Sequence, residues 1–270
     1  MKSFIKFLAI TFLLTGVALQ SKASHISGGS IKYKSLGSNQ WYIEAAVFRD
    51  CSGATYSSFT ETLDVECVPT AVTSVQTVTH LAFVAPTPAP FGGPYAGVTI
   101  TQGSNTLIAE EISDVCDNIL NPNTTPTSRC RSAGGAQGYL RFKFSTILTL
   151  TPCAWQRIGF EPVCCRNNAG SNISTSSMYV HTFFNSLNFP TNSAPDFADE
   201  VKPIPSACIG KKVLYGIGTI DNDGDSLRFE LDCALGVTSG VVQCANYNGG
   251  FSATAPASGL IMDSATGLIE

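Results

Sequence analysis

Tyr139-Leu140-Arg141-Phe142-Lys143-Phe144 is the stretch that decides the fold. Apolar and charged residues alternate one by one, the two-residue period of a strand with one face in a core and the other in water. Nothing in the chain shows a helical period of comparable length. Upstream, Ile31 to Leu36 and Trp41 to Phe48 form the arms of an expected hairpin around Gly37-Ser38-Asn39. Phe59 to Val68 and Val72 to Val84 alternate apolar residues with Thr, Ser or Glu, and Trp155 to Val163 and Met178 to Phe184 complete a first set of strands. Ala85 to Tyr95 and Asn118 to Gly138 are rich in Pro and Gly, or interrupted by them, and are expected to be loops.

Pro190, Asn192, Ser193 and Pro195 break the strand pattern and set a boundary near Asn188 to Pro195. Beyond it the expected strands are short: Lys212 to Ile220, Ser226 to Leu231, Gly240 to Cys244, Leu260 to Met262 and Leu268-Ile269. Short strands separated by turn residues suggest an all-β protein of β-sandwiches, with domains over residues 24–190 and 194–270.

The first residues set the compartment. Lys2 and Lys6 precede an apolar run from Phe7 to Leu19, and Ser21-Lys22-Ala23 supplies a cleavable small-residue end. Residues 1–23 therefore read as a secretory signal peptide. The run is too short for a membrane span, and no second one follows. A secreted or cell-surface location fits the composition, in which only 13% of residues are charged. A net charge of -4 offers no basic surface for nucleic acid.

Ten cysteines in an exported chain read first as disulfides. Zinc is the weaker alternative, since there is no CxxC and His25, His80 and His181 are scattered. Seven cysteines precede the boundary and three follow it, so complete pairing needs a bridge between the regions or an outside partner. Cys233 and Cys244 flank an apparent hairpin, Cys116 and Cys130 enclose a loop without a core of its own, and Cys208 is left to reach Cys164 or Cys165.

Asp221-Asn222-Asp223-Gly224-Asp225-Ser226-Leu227 carries the most specific chemistry. Three carboxylates alternate over five residues around a turn glycine. Asp, Asn and Gly also make ordinary turns, but like charges so close repel unless a cation lies between them. Ca²⁺ takes six to eight hard oxygens in flexible geometry. Asp221, Asp223 and Asp225 are the expected ligands, Asn222 a further candidate, and Asp196 or Asp199 the ligand from outside the turn. A strand pattern follows where an EF-hand would place its exiting helix.

Enzymatic readings find less support. A copper site on an N-terminal His25 would require cleavage after Ser24. Paired carboxylates for glycoside hydrolysis could come from Glu110, Glu111 and Asp114, or from Glu61, Asp64 and Glu66, but both sets suit solvated faces. No GxSxG elbow is present. Trp41, Tyr42, Trp155 and Tyr179 are candidates for a sugar-stacking face, against the alternative that they fill a core.

Several separated motifs share a resemblance. Ser24-His25-Ile26-Ser27-Gly28-Gly29-Ser30, Phe48-Arg49-Asp50-Cys51, Glu161-Pro162-Val163-Cys164-Cys165-Arg166-Asn167, Asn192-Ser193-Ala194-Pro195 and the Asp221 turn occur in this order. Together they resemble the N-terminal region of large secreted Bacteroidota surface proteins, which carry Ig-like or PKD-type repeats and a gliding-motility-associated or type IX sorting domain. The resemblance implies an opening β-sandwich followed by a cadherin-like or dystroglycan-type Ig module, so that two Ig-like β-sandwich domains stand in tandem. Leu260-Ile261-Met262-Asp263 and Ala265-Thr266-Gly267-Leu268-Ile269 look like that module's tail. The family pattern would continue with a closing strand where this chain stops at Glu270, so the second sandwich is expected to be truncated. The expected role is non-catalytic adhesion, with a polysaccharide, another cell surface or a second copy as partner.

Overall fold

The computed structural model describes residues 25–53, 60–68, 75–82, 98–102, 105–112, 130, 137–162, 166, 172–175, 177–197 and 213–270. Every regular element among them is a strand. Nine build the first region: β1 (His25–Gly37), β2 (Gln40–Asp50), β3 (Thr60–Cys67), β4 (Val75–Ala82), β5 (Val98–Gln102), β6 (Asn105–Glu111), β7 (Tyr139–Thr149), β8 (Gln156–Phe160) and β9 (Val180–Phe184). Six short ones follow: β10 (Asp196–Phe197), β11 (Tyr215–Gly216), β12 (Thr219–Ile220), β13 (Leu235–Thr238), β14 (Val241–Cys244) and β15 (Leu268–Ile269). The all-β reading is thus correct.

The first region is a sandwich. One sheet has the order β1-β2-β7-β6-β5 and the other β4-β3-β8-β9. Ser38 and Asn39 both adopt positive φ, the two-residue turn that matches strand twist and joins β1 to β2. Alternation then puts Trp41, Ile43, Val47, Leu140, Phe142 and Phe144 on the inner face of the first sheet. Leu63, Val65, Ile158, Phe160 and Phe184 meet them from the second. Trp41 and Tyr33 enclose the Phe184 ring, with centroids at 4.6 and 4.2 Å.

Disulfides join segments far apart in sequence. Cys51 pairs with Cys130 and Cys67 with Cys153, across 79 and 86 residues. In the chain-entropy account each constrains the unfolded chain by about 4–5 kcal/mol. Cys233 pairs with Cys244 across the β13–β14 hairpin, as its spacing predicts. The expected Cys116–Cys130 bridge is corrected: the end of β2 brings Cys51, rather than Cys116, to Cys130. Cys116, Cys164, Cys165 and Cys208 lie outside the described residues.

The second region is three two-stranded ribbons, β10–β12, β11–β15 and β13–β14. The strand expected at Ser226 to Leu231 forms no ladder, because Phe229 bonds instead to the Ser264 carbonyl at 2.9 Å. The β13–β14 hairpin joins the first sandwich: Tyr179 N donates to Leu235 O at 3.0 Å, beside β9. Ser177 Oγ accepts from Val237 N at 2.7 Å and donates to Val237 O at 2.9 Å. Asn246 N donates to Thr175 Oγ1, and Asn248 N to Asn172 O. No helix among the described residues is long and apolar enough to cross a membrane.

Candidate functional site

The acidic turn follows β12 and closes on itself first. Asp221 Oδ1 accepts from Asp223 N at 2.9 Å and from Asp225 N at 3.0 Å, while Gly224 takes φ +84°. One carboxylate oxygen thus organises the loop through main-chain N–H groups, as aspartates do in Asx turns. The side chains of Asp223 and Asp225 remain available to face outward.

They meet the segment that links the two regions. Asp223 Oδ2 accepts from Ser193 N at 2.6 Å. The Asn192 side-chain amide lies 3.2 Å from Asp223 Oδ2 and 3.1 Å from Asp225 Oδ2, and with its nitrogen turned toward them it donates to both. The same segment runs along β1. Ala194 N donates to Tyr33 O at 2.8 Å, Ser35 Oγ donates to Pro190 O at 2.6 Å, and Lys32 pairs with Asp196.

Tyr33 registers the result electrostatically. Burial pushes its hydroxyl up to about 12, and the charges of Asp221, Asp223 and Asp225 add to the effect against an opposing hydrogen bond with Asn192. All three carboxylates therefore act on one phenol of the first sandwich.

Asp223, Asp225 and Asn192 are the residues best placed to hold a cation. If the amide turns its oxygen toward the carboxylates, three hard acceptor oxygens face one another, which suits Ca²⁺. Among the described residues no group of three or more His, Cys, Asp or Glu comes together in a metal-holding arrangement. Asp221 contributes through the turn, its Oδ1 being engaged by two N–H groups. Asn222 is exposed. Asp196 pairs with Lys32, and Asp199 lies outside the described residues. Asn192 and Ser193 were missed as site residues. Their Asn-Ser-Ala-Pro motif was legible, but no local spacing ties it to a turn thirty residues on.

The other nominated residues separate by burial. Trp41 and Tyr179 are 2% and 5% exposed and belong to the interior, which corrects their candidacy for stacking. Tyr42 is half-buried and its hydroxyl donates to Glu44. Trp155 is 63% exposed. Tyr179 Oη donates to Asp64 Oδ2 at 3.0 Å, and Glu66 pairs with Arg157. His181 sits between the Tyr179 and Phe183 rings, and burial and Arg157 hold its imidazole below the usual range against the pull of Asp232. Asp114 and the side chains of Glu61, Glu110, His25 and His80 lie outside the described residues.

Fold and site together define a disulfide-bonded, all-β protein with an acidic turn docked on its linker. Comparison with known proteins goes no further: no family model, curated protein or solved structure matches the chain.

Proposed function

We propose that this chain is an exported, non-catalytic surface or extracellular protein, in which calcium at the acidic turn locks the second region onto the first. The observation that carries the reading is the convergence of Asp223, Asp225 and Asn192 at the linker, beside Tyr33. A joint stiffened by a cation is what an adhesive or load-bearing module needs. The paired cysteines, the leader-like N-terminus and the resemblance to secreted Bacteroidota surface proteins support the compartment. A polysaccharide, another cell surface or a second copy is the proposed partner.

Terbium luminescence tests the site, because Tb³⁺ replaces Ca²⁺ among oxygen ligands and is sensitised by a nearby phenol. Tyr33 is expected to sensitise bound Tb³⁺, with the signal lost in Asn192→Ala and Tyr33→Phe and displaced by Ca²⁺. No sensitised emission from the wild type, or emission unchanged in Asn192→Ala, would remove calcium from the account.

A further inference from the structure

The outer face of β3, β8 and β9 is laid out in rows by its register. Glu66, Arg157 and Phe183 lie side by side, as do Asp64, Gly159 and His181. Beyond the first row come Val68 and Trp155, joined by the bond from Val68 N to Trp155 O at 2.8 Å. Trp155 sits in the turn just before β8, two residues from Arg157, which is the β8 partner of Phe183. Trp155 and Phe183 are 63% and 45% exposed.

The backbone leading to Trp155 is anchored at Cys153. The preceding Cys153 is bonded to Cys67 at the end of β3. Buried Ser186 brackets Cys153 from the other side, accepting from its N–H at 2.9 Å and donating to its carbonyl at 3.2 Å. Leu187 N donates to the same carbonyl at 3.1 Å. A large ring left in water forfeits burial that a core position would gain, and an anchored backbone beneath it lowers the ordering cost of binding.

The charges around the rings select the occupant. The core of a protein interface is depleted of charge, whereas here Arg157 lies beside Phe183 in its row and two residues from Trp155, with Glu66 paired to it on the far side. Asp64, steadied by Tyr179, and exposed Glu161 extend the face. Among the described residues of this face three carboxylates stand against one guanidinium, itself paired to Glu66, a balance that repels anionic polymers. Carboxylates and a guanidinium beside flat rings match a ligand with apolar C–H faces and many hydroxyl donors.

We infer that this face, centred on Trp155 and Phe183, binds a neutral polysaccharide by stacking sugar rings on the aromatics and bonding hydroxyls to Asp64, Glu66 and Arg157. The inference rests on the adhesion reading and names its ligand class and surface.

Native affinity electrophoresis of the mature chain, in gels containing hydroxyethylcellulose, laminarin, galactomannan or xylan, with alginate as the anionic comparison, tests it. At least one neutral polymer should retard the protein and alginate should not. Trp155→Ala should weaken retardation at least tenfold and Phe183→Ala severalfold, while Val241→Ala, an exposed apolar residue elsewhere, should leave it unchanged. The wild type carries its own control for folding. Only two tryptophans are present and Trp41 is buried, so the retarding polymer should protect Trp155 emission from acrylamide. No retardation by any neutral polymer, equal retardation by alginate, or variants that bind like the wild type would overturn the inference. If beads coated with Trp155→Ala still adhere to polysaccharide particles or to one another as wild-type beads do, this face falls and the adhesion reading stands. If wild-type beads adhere to neither, the adhesion reading falls as well.

Discussion

Gly159 shows how one residue type arranges a face of this protein. A Cβ there would lie 2.3 Å from the Tyr179 hydroxyl, because Tyr179 crosses β8 at this glycine to reach Asp64 on β3. The sequence displays Tyr179 and Gly159 in separate strands and says nothing of their meeting, which follows only from the β8–β9 register. Gly159→Ala is expected to cost about 1–3 kcal/mol in chemical denaturation, as overpacking does. Tyr179→Phe, which removes only the hydroxyl bond to a carboxylate, should cost about 1.5–3 kcal/mol. Tyr33 gives a second prediction, in alkali. Its hydroxyl is raised from 10.0 to about 12, so the unfolded chain loses this proton first. The stability it contributes is complete below pH 10, declines as pH rises through the interval and is gone above about 12. Spectrophotometric titration should show a phenol ionising near 12 that vanishes in Tyr33→Phe. Added Ca²⁺, by neutralising the carboxylates, should bring that ionisation down.

Elements with strong local signals were legible. The β1–β2 hairpin and β7 follow directly from alternation and a Gly-Ser-Asn turn, and their inner residues are the core. The hairpin of β5 and β6 was missed. Its arms are short and lie between loop-like stretches, and β6 reaches β7 through only Glu110 and Glu111. Disulfide partners were legible only where the loop was short, as at Cys233 and Cys244. Cys67–Cys153 depends on β3 pairing with β8, a long-range fact that spacing does not contain. Replacing both cysteines with serine is expected to lower stability by about 4–5 kcal/mol in the entropic account. It should also free the Trp155 turn, seen as faster depolarisation of the exposed tryptophan's fluorescence.

At the scale of the whole molecule, the break in pattern near Pro190 to Pro195 suggests two modules strung in sequence. The structure joins them along two seams. One is the hairpin of β13 and β14 on residues 172–179, and the other is the acidic turn on Asn192, Ser193 and β1. Neither seam has a signature in sequence, since polar residues such as Ser177 and Thr175 look like any exposed loop. Ser177→Ala leaves the Val237 N–H without this partner and is expected to cost about 1–3 kcal/mol. Limited proteolysis should then cut between the regions sooner than in the wild type.

Calorimetric unfolding of the oxidised chain, in Ca²⁺ and then in EGTA, measures the second seam most directly. Binding to the folded state alone raises its stability by mass action. The melting temperature should therefore rise with calcium concentration in the wild type and stop responding in Asp223→Ala. A melting temperature indifferent to calcium, or an equal response in Asp223→Ala, would contradict a calcium-locked joint and leave the turn held by its hydrogen bonds to Asn192 and Ser193 alone.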